Sequence, residues 1–405
     1  MALDTDIAIT GGGLNGPALA LALAQDGFRV TIIDKLAAHT RADAGFDGRC
    51  YALAAASCRL LTGIGLWPKL GPHAQPIEEV KVCDGRAGEG PSGYWLHLQR
   101  GSLDEGPMGH MIEDRHLRPA LLAAVTHHPA ITQLSEQTVT GQEVLPGSAR
   151  LTLASGETLT ASLIVGADGR QSGTAERAGI TRSNKDYGQT AVTCAVAHTL
   201  PHNAIAHQFF MPPGPLAILP LTGNRSSVVW TETHARAAEI MQLDDSGFLT
   251  ALRPAFGDFL GALSLTGQRF AYPLTLTLAK SFTAPRVALT GDAAHGMHPI
   301  AGQGLNAGLR DVAALADVLG AARRRGEDIG APGPLARYRS WRQFDTASLA
   351  MATDGFNGLF SNDNVVLRGI RNLGLGAGSS LPAISRRLAR EAAGLTGDLP
   401  KLMQA

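Results

Sequence analysis

The spacing of apolar and polar residues at the start of the chain switches between two periods. Ile7 to Thr10 is a short apolar run, Leu14 to Gln25 repeats alanine and leucine at helical spacing, and Val30 to Ile33 is a second apolar run. That order predicts two parallel strands joined by a crossover helix. From about residue 80 to 165 alternation and turns dominate. There Ala154-Ser155-Gly156 separates two strand-like runs between Leu151 and Leu163, which predicts a hairpin feeding a strand at Leu163 to Ala167. Between about 187 and 280, the segments Thr190 to Ala197, Ala217 to Leu221 and Ser227 to Thr231 are rich in β-formers, with Thr222-Gly223-Asn224 as a turn. This stretch predicts an antiparallel sheet. Beyond Gly302 helical spacing prevails, broken at Ala331-Pro332-Gly333-Pro334 and again over Gly374 to Pro382.

Composition narrows the classes of function. A chain of 405 residues has room for two or three packed domains. Its 35 basic and 35 acidic residues cancel to a formal net charge of +0, so no overall field draws it to nucleic acid. No apolar run approaches the ~18 residues of a membrane span. The N-terminal Met-Ala-Leu-Asp-Thr-Asp runs straight into a strand pattern with no basic leader, and a cytoplasmic location is expected. Cys50, Cys58, Cys83 and Cys194 are scattered without metal-ligand or disulfide spacing and read as ordinary buried thiols, with no metal site. Glycine is in excess, 48 of 405 residues, which makes glycine-rich nucleotide loops worth seeking.

One such loop is Gly11-Gly12-Gly13-Leu14-Asn15-Gly16, between the first strand and the first helix. In this setting Gly11 permits a tight turn, Gly13 lets the backbone approach a pyrophosphate, and Gly16 lets helix and strand pack closely. Asp34 ends the second strand, followed by Lys35, where a carboxylate can accept hydrogen bonds from a ribose diol. The fingerprint alone does not separate NAD from FAD. Two later segments bear on that choice: the strand Leu163 to Ala167 running into Asp168-Gly169, and the strand Arg286 to Leu289 running into Gly291-Asp292-Ala293-Ala294-His295. Beyond the second lie His298, Pro299 and the glycine-rich helix start Gly302-Gln303-Gly304-Leu305-Asn306. Such a unit can bond a polyol through Asp292 and present helix N-terminal amides to an anionic ring edge. No zinc-hydrolase or serine-hydrolase motif is present.

This ordered set, with Asp47-Gly48-Arg49, resembles the single-component FAD-dependent aromatic monooxygenases of the p-hydroxybenzoate hydroxylase fold. Among them it is most similar to the ubiquinone-biosynthesis hydroxylases. The narrower likeness rests on Asp47-Gly48-Arg49-Cys50-Tyr51-Ala52-Leu53, on Gly214 to Leu221 with Trp230, on Tyr272-Pro273-Leu274, and on His298-Pro299-Ile300-Ala301-Gly302-Gln303-Gly304-Leu305-Asn306. It implies an α/β (α+β) fold: a Rossmann-like FAD-binding domain with an inserted antiparallel-sheet substrate domain and a helical C-terminal region. The first would take residues 1–75, 105–186 and 281–330, the second 76–104 and 187–280, and the third 331–405.

The resemblance further implies FAD as cofactor and NAD(P)H as transient electron donor. A polyprenyl phenol would be hydroxylated with O2 through a flavin C4a-hydroperoxide, and the alternative is a small soluble phenol or aromatic acid. Gly11, Gly13 and Gly16 would hold the pyrophosphate, with Leu14 and Asn15 in the same loop. Asp34 with Lys35 would take the adenosine ribose, and Arg49 would add a charge at the pyrophosphate. Asp292, after Gly291, would bond the ribityl chain, and Pro299 with Gly302, Gln303, Gly304, Leu305 and Asn306 would border the isoalloxazine. Asp168-Gly169 matches a motif associated with both nucleotides. The chain departs from many members at Asp34, at Ala175 and at Asp114. No catalytic base is evident, and His295 and His298 are the only candidates. Phe209, Pro215, Leu219, Pro220 and Trp230 form a candidate apolar wall for an aromatic substrate. The C-terminal Arg368, Arg371, Arg386, Arg387, Arg390 and Lys401, interspersed with apolar residues, suit a peripheral contact with the inner membrane or with other ubiquinone-biosynthesis proteins.

Overall fold

A computed structural model of the chain describes residues 3–41, 45–99, 106–297, 302–360 and 382–404. The chain opens with β1 (Thr5–Thr10), α1 (Asn15–Gln25), β2 (Val30–Asp34), α2 (Ala38–Arg41), β3 (Cys50–Ala54), α3 (Ala55–Gly63), α4 (Trp67–Leu70) and β4 (Gln75–Ile77). Next come β5 (Glu79–Arg86), β6 (Gly90–Gln99), β7 (Gly109–Glu113), α5 (Asp114–Thr126), β8 (Ile131–Ser135), β9 (Val139–Leu145), β10 (Ser148–Leu153), β11 (Thr158–Gly166) and α6 (Gly173–Arg177). The long strands follow: β12 (Arg182–His198), β13 (Ile205–Met211), β14 (Gly214–Leu221) and β15 (Arg225–Thr233), then α7 (His234–Gln242), α8 (Asp245–Phe256) and β16 (Leu263–Ala279). After β17 (Thr283–Ala284), β18 (Val287–Leu289) and β19 (His295–Gly296) come α9 (Gln303–Arg324), α10 (Pro332–Phe360) and α11 (Pro382–Ala392).

The first sheet has the order β17-β18-β11-β1-β2-β8, with the β9–β10 hairpin attached to β11. β18, β11, β1, β2 and β8 run parallel; β18, β1, β2 and the end of β11 are buried almost throughout, which is why they read as apolar runs, whereas the edge strand β8 buries only Ile131 fully. α1 has no polar side because every residue from Gly16 to Ala24 is buried, and α9 packs against it.

The second sheet has the order β19-β16-β12-β15-β14-β13-β5-β6, and β3, β7 and β4 form a small third sheet. Residues 79–99 thus join the strands of 182–279 through the pairing of β13 with β5, which is parallel in an otherwise antiparallel sheet. Two helices interrupt the region expected to be sheet throughout. α7 starts because the Thr233 hydroxyl accepts the Arg236 N–H, and α8 because the Asp244 carboxylate accepts the Gly247 N–H at 2.7 Å. Together they cover a cluster on one face of the second sheet that includes Val192, Cys194, Phe209, Leu216, Val228 and Trp230. The break after α9 falls where Ala331-Pro332 predicted it; most of the break expected over Gly374 to Pro382 lies outside the described residues, as do Arg368 and Arg371.

Candidate functional site

Three different constraints shape the first glycine loop. Gly11 has φ +103°, and a Cβ there would lie 2.3 Å from the Ala167 carbonyl oxygen. At Gly16 a Cβ would lie 2.0 Å from the Gly11 oxygen. Both positions require glycine to bring β1, β11 and α1 together. Gly13 is the opposite case, because a Cβ would meet nothing within 4 Å. Its backbone faces open space at the start of α1, where free N–H groups and the helix dipole favour an anion. Leu14, at the N-cap, packs on the core. Gly13→Ala is therefore expected to leave the melting of the protein without cofactor unchanged and to weaken dinucleotide binding, whereas Gly11→Ala lowers stability itself; thermal melts and cofactor titration separate the two.

At the end of β2, Asp34 accepts the Gly12 N–H at 2.5 Å and the Leu36 N–H at 2.8 Å, which holds its carboxylate beside the glycine loop. Lys35 next to it is exposed. Asp168 turns inward: it accepts from the Ser172 hydroxyl, from Thr174 N–H at 3.0 Å and from the Thr174 hydroxyl at 2.8 Å. The Thr174 hydroxyl in turn bonds that of Thr10 at 2.6 Å, one residue before Gly11. Asp168, with Gly169 in the left-handed region at φ +79°, thus buttresses the glycine turn from behind. The side chain of Asn15 is wedged between Gly291 and Gly308, where Cβ atoms would lie 2.0 and 2.4 Å from its Nδ2. It links the two cofactor-loop candidates as a strut.

Gly291 (φ +57°) opens a single 3₁₀ turn, Gly291–Ala293, that leaves the Asp292 side chain 43% exposed, with Arg170 Nε 3.3 Å away. Beneath the turn, the fully buried Asp311 carboxylate accepts Gly291 N–H at 2.9 Å, bonds His295 Nε2 at 2.6 Å and accepts Arg342 Nε–H at 2.8 Å. Burial pulls the Asp311 carboxyl upward, but His295 and Arg342 outweigh it and hold it below the usual carboxylate range. His295 is 1% exposed and stacks on Phe282, so it cannot reach a substrate. The expectation of a catalytic His295 is corrected: its imidazole is committed to Asp311. The sequence carried one sign of this cluster, the carboxylate of Asp311 at a position of α9 flanked by the apolar Leu309, Val312 and Leu315. His298 and Pro299 lie outside the described residues.

Gly302 is left-handed at φ +64°, and a Cβ there would lie 3.0 Å from that of Ala52. No side chain caps the N-terminus of α9 that follows, and a Cβ at Gly304 would meet nothing within 4 Å. The start of α9 around Gly304 is therefore a second open helix N-terminus. Asn306 is different, because its side chain is fully used: Oδ1 accepts from Ala54 N–H at 2.8 Å and from the Ser57 hydroxyl at 2.7 Å, while Nδ2 donates to the Ala52 and Gly302 oxygens at 2.8 and 2.9 Å. It staples α9 to β3, leaving only its main chain for a cofactor.

Arg49 Nε donates to Asp47 at 2.6 Å, and its guanidinium lies 3.5 Å from the buried Asp114, which also takes Arg118 and the Tyr51 hydroxyl. A neighbouring clamp was not legible in the sequence. Glu113, 2% exposed, receives Arg115 and Arg225 at 2.6 Å each, and both guanidinium groups lie over the Phe46 ring at 5.0 and 5.1 Å. Since Arg225 begins β15, this clamp ties the second sheet to the loop that carries Arg49. The thiols are inert by contrast: burial pushes Cys50, Cys58 and Cys194 each up to about 12.

The expected substrate wall divides between two faces. Phe209 and Trp230 pack under α7 and α8, with Trp230 edge-on to Phe248 at 6.1 Å and Phe209 edge-on to Trp95 at 6.1 Å. Strand alternation puts Pro220 on their side, with Leu216 and Ile218. Pro215 and Leu219 point the other way, and Leu219 packs on the core of the first sheet. Phe209, Trp230 and Pro220 are therefore corrected to the helix-covered face, because alternation pairs residues by face without saying which face the cofactor domain covers.

Two uncapped helix starts with open glycines, a half-exposed carboxylate at each of two strand ends and a glycine turn packed too tightly for any side chain fit an extended dinucleotide. Comparison with known proteins identifies it. The model of the FAD binding domain family matches residues 4–343. The ubiquinone hydroxylase UbiL of Rhodospirillum rubrum is 44% identical over 402 residues, covering 98% of this chain and 92% of that protein. The 3-demethoxyubiquinol 3-hydroxylase of Escherichia coli is 35% identical, covering 96% and 99%. In fold, the chain is similar to the p-nitrophenol 4-monooxygenase PnpA of Pseudomonas putida, with a TM-score of 0.80, 18% identity and coverage of 98% and 99%. The chain belongs to the FAD-binding-domain family, as an FAD-dependent aromatic monooxygenase of the ubiquinone-biosynthesis hydroxylase group.

Proposed function

We propose that this protein hydroxylates the ring of a polyprenyl-phenol intermediate of ubiquinone biosynthesis, converting the phenol, O2, NAD(P)H and a proton into the hydroxylated ring, water and NAD(P)+. The observation that carries this reading is that the likeness to ubiquinone hydroxylases runs through the second sheet as well as the cofactor loops, covering 96–98% of the chain.

Bound FAD supplies the passage of two electrons from NAD(P)H to O2 and the delivery of one oxygen atom to the ring. The chain's own residues do the rest. The amides around Gly13 and the charge of Arg49 would hold the pyrophosphate, Asp34 the ribose and Asp292 the ribityl hydroxyls. The first turn of α9 would offer the positive end of its dipole to an anionic flavin ring. Burial works against the charge of Arg49, but Asp47 and Asp114 outweigh it and raise its pKa, so it stays cationic at every working pH. Arg49→Ala is expected to weaken FAD binding by roughly 1.5–3 kcal/mol, the worth of a hydrogen bond to a charged group. Fluorescence titration of the protein stripped of flavin measures it, and unchanged affinity removes Arg49 from the site.

We read the second sheet as the substrate domain and the first as the cofactor domain. No helix among the described residues is long and apolar enough to cross a membrane. The substrate's polyprenyl tail is membrane-borne, so we propose a cytoplasmic enzyme in peripheral contact with the inner membrane and with other proteins of the pathway. The exposed Ile384, Arg386, Arg387 and Arg390 of α11 support that contact. The test is mass-spectrometric profiling of quinones in a strain deleted for this gene and grown with oxygen. Accumulation of one under-hydroxylated polyprenyl phenol is expected; an unchanged quinone pool in a strain with no second hydroxylase moves the substrate to a small soluble phenol or aromatic acid.

A further inference from the structure

The strand β16 is anchored to the cofactor-binding body at two places. At one end Thr277 and Leu278 pair with Gly296 and His295, just past the Asp292 turn. Towards the other, Gln268 N–H donates to the Asp47 oxygen at 2.9 Å, and Gly267 allows this approach because a Cβ there would lie 2.9 Å from the Asp47 and Gly48 backbone. The two anchors are nine residues apart, about 30 Å of strand. Tyr272 lies midway between them.

Register decides which way it faces. Tyr272 pairs with Ala191 and Phe270 with Thr193, whereas Val192, Cys194 and Val196 belong to the cluster under α7 and α8. Ala195, on the same face of β12 as Ala191 and Thr193, packs into the core of the cofactor domain. Tyr272 and Phe270 therefore stand on the cofactor side of the sheet, where they stack with ring centres 6.2 Å apart and 20° between planes. Tyr272 is 43% exposed, and its hydroxyl makes no hydrogen bond to any described residue. Its strand reaches the Asp47 to Arg49 loop through the Gln268–Asp47 bond, and the hydroxyl's pKa is raised by burial first, with Asp47 and Asp114 adding to the rise and Arg49 opposing it.

We propose that Tyr272, backed by Phe270, is the residue that positions the aromatic substrate, its ring packing on the phenol and its unpaired hydroxyl bonding the substrate's oxygen. This rests on the hydroxylase reading above and names the wall that Phe209 and Trp230 do not provide. A large aromatic face on a rigid strand suits a flat ring, because it buries apolar area while losing little side-chain freedom.

The test uses the FAD-loaded enzyme, Tyr272→Phe and Tyr272→Ala, with a short-chain prenylated phenol in detergent as probe. Its binding is read from the flavin absorbance change and its turnover from product formed per NAD(P)H consumed. Tyr272→Phe keeps the ring and loses one hydrogen bond, so the phenol Kd is expected to rise about two- to ten-fold. Tyr272→Ala is expected to lower product per NAD(P)H more than ten-fold, the balance appearing as hydrogen peroxide. Both variants should keep wild-type FAD content and unfolding midpoint. Wild-type Kd and coupling in both variants overturn the proposal. If the unaltered enzyme binds no prenylated phenol, the substrate reading is what fails, and the same comparison with soluble phenols and aromatic acids decides Tyr272: a wild-type Kd in both variants there overturns it, a raised one upholds it.

Discussion

Replacing Asp311 by alanine is expected to cost about 3–5 kcal/mol of folding stability, the largest single loss in this set. Asp311 is 0% exposed and accepts the Nε–H of Arg342, whose side chain is 2% exposed. Removing one partner of a buried pair leaves the other charge without compensation, and that penalty dominates. Asp345, 2.9 Å from Arg342 Nη1, relieves part of it from the rim. Asp311→Asn keeps the shape and an acceptor for the Gly291 N–H but loses the charge, so it should fall between wild type and alanine. The carboxyl is held below its ordinary value, so its stabilisation is fully present above the pKa of an unfolded aspartate and fades as pH drops through the folded one. Urea unfolding at neutral and mildly acidic pH measures both effects; a curve for Asp311→Ala that overlays the wild type would end this account. The loss should also reach the cofactor, because the same carboxylate holds the Gly291 N–H under the Asp292 turn.

The second large effect separates binding from folding. Asp292→Ala is expected to yield a folded protein that no longer retains FAD through purification. Among the described residues the carboxylate's ion pair is with Arg170, at 3.3 Å and with both side chains more than 40% exposed, a pair worth ~0–1 kcal/mol at most. Its orientation towards open space is therefore maintained by the turn beneath it and not by its own contacts. Against the ribityl hydroxyls each charged hydrogen bond is worth roughly 1.5–3 kcal/mol, so loss of one or two raises the FAD dissociation constant from about ten-fold to well over a hundred-fold. Flavin absorbance after gel filtration, with a melt of the flavin-free protein as control, reads this directly. Full flavin content in the alanine variant would take Asp292 out of the cofactor site.

These two residues sit five helical turns apart in sequence terms and yet act on one loop, which shows how the site is layered. Asp292 faces the ligand, while His295, Asp311 and Arg342 form the floor under it. The floor includes a histidine that the sequence offered as a catalytic candidate. Burial of both rings and charges, which only packing reveals, assigns it to structure.

What the sequence by itself determined was the cofactor chemistry. The strand, glycine loop, helix, strand and acid of Ile7 to Asp34, and the Asp-Ala-Ala-His and Gly-Gln-Gly-Leu-Asn runs after it, are legible because each is local: a glycine's allowed φ, a helix start or a strand-end carboxylate is set by a few consecutive residues. The antiparallel pattern of the strands between Thr190 and Thr231 was legible for the same reason, though not their register. The tertiary structure alone decided three other things. It placed Phe209 and Trp230 under α7 and α8, and Tyr272 and Phe270 on the cofactor side. It joined Glu113 to Arg115 and Arg225 across two sheets. It sank His295 and Asp311 beneath the Asp292 turn. The physical reason is common to all three: strand alternation groups residues by face, but which face is covered, and which distant charges meet, depends on how sheets and helices pack over separations of tens to hundreds of residues.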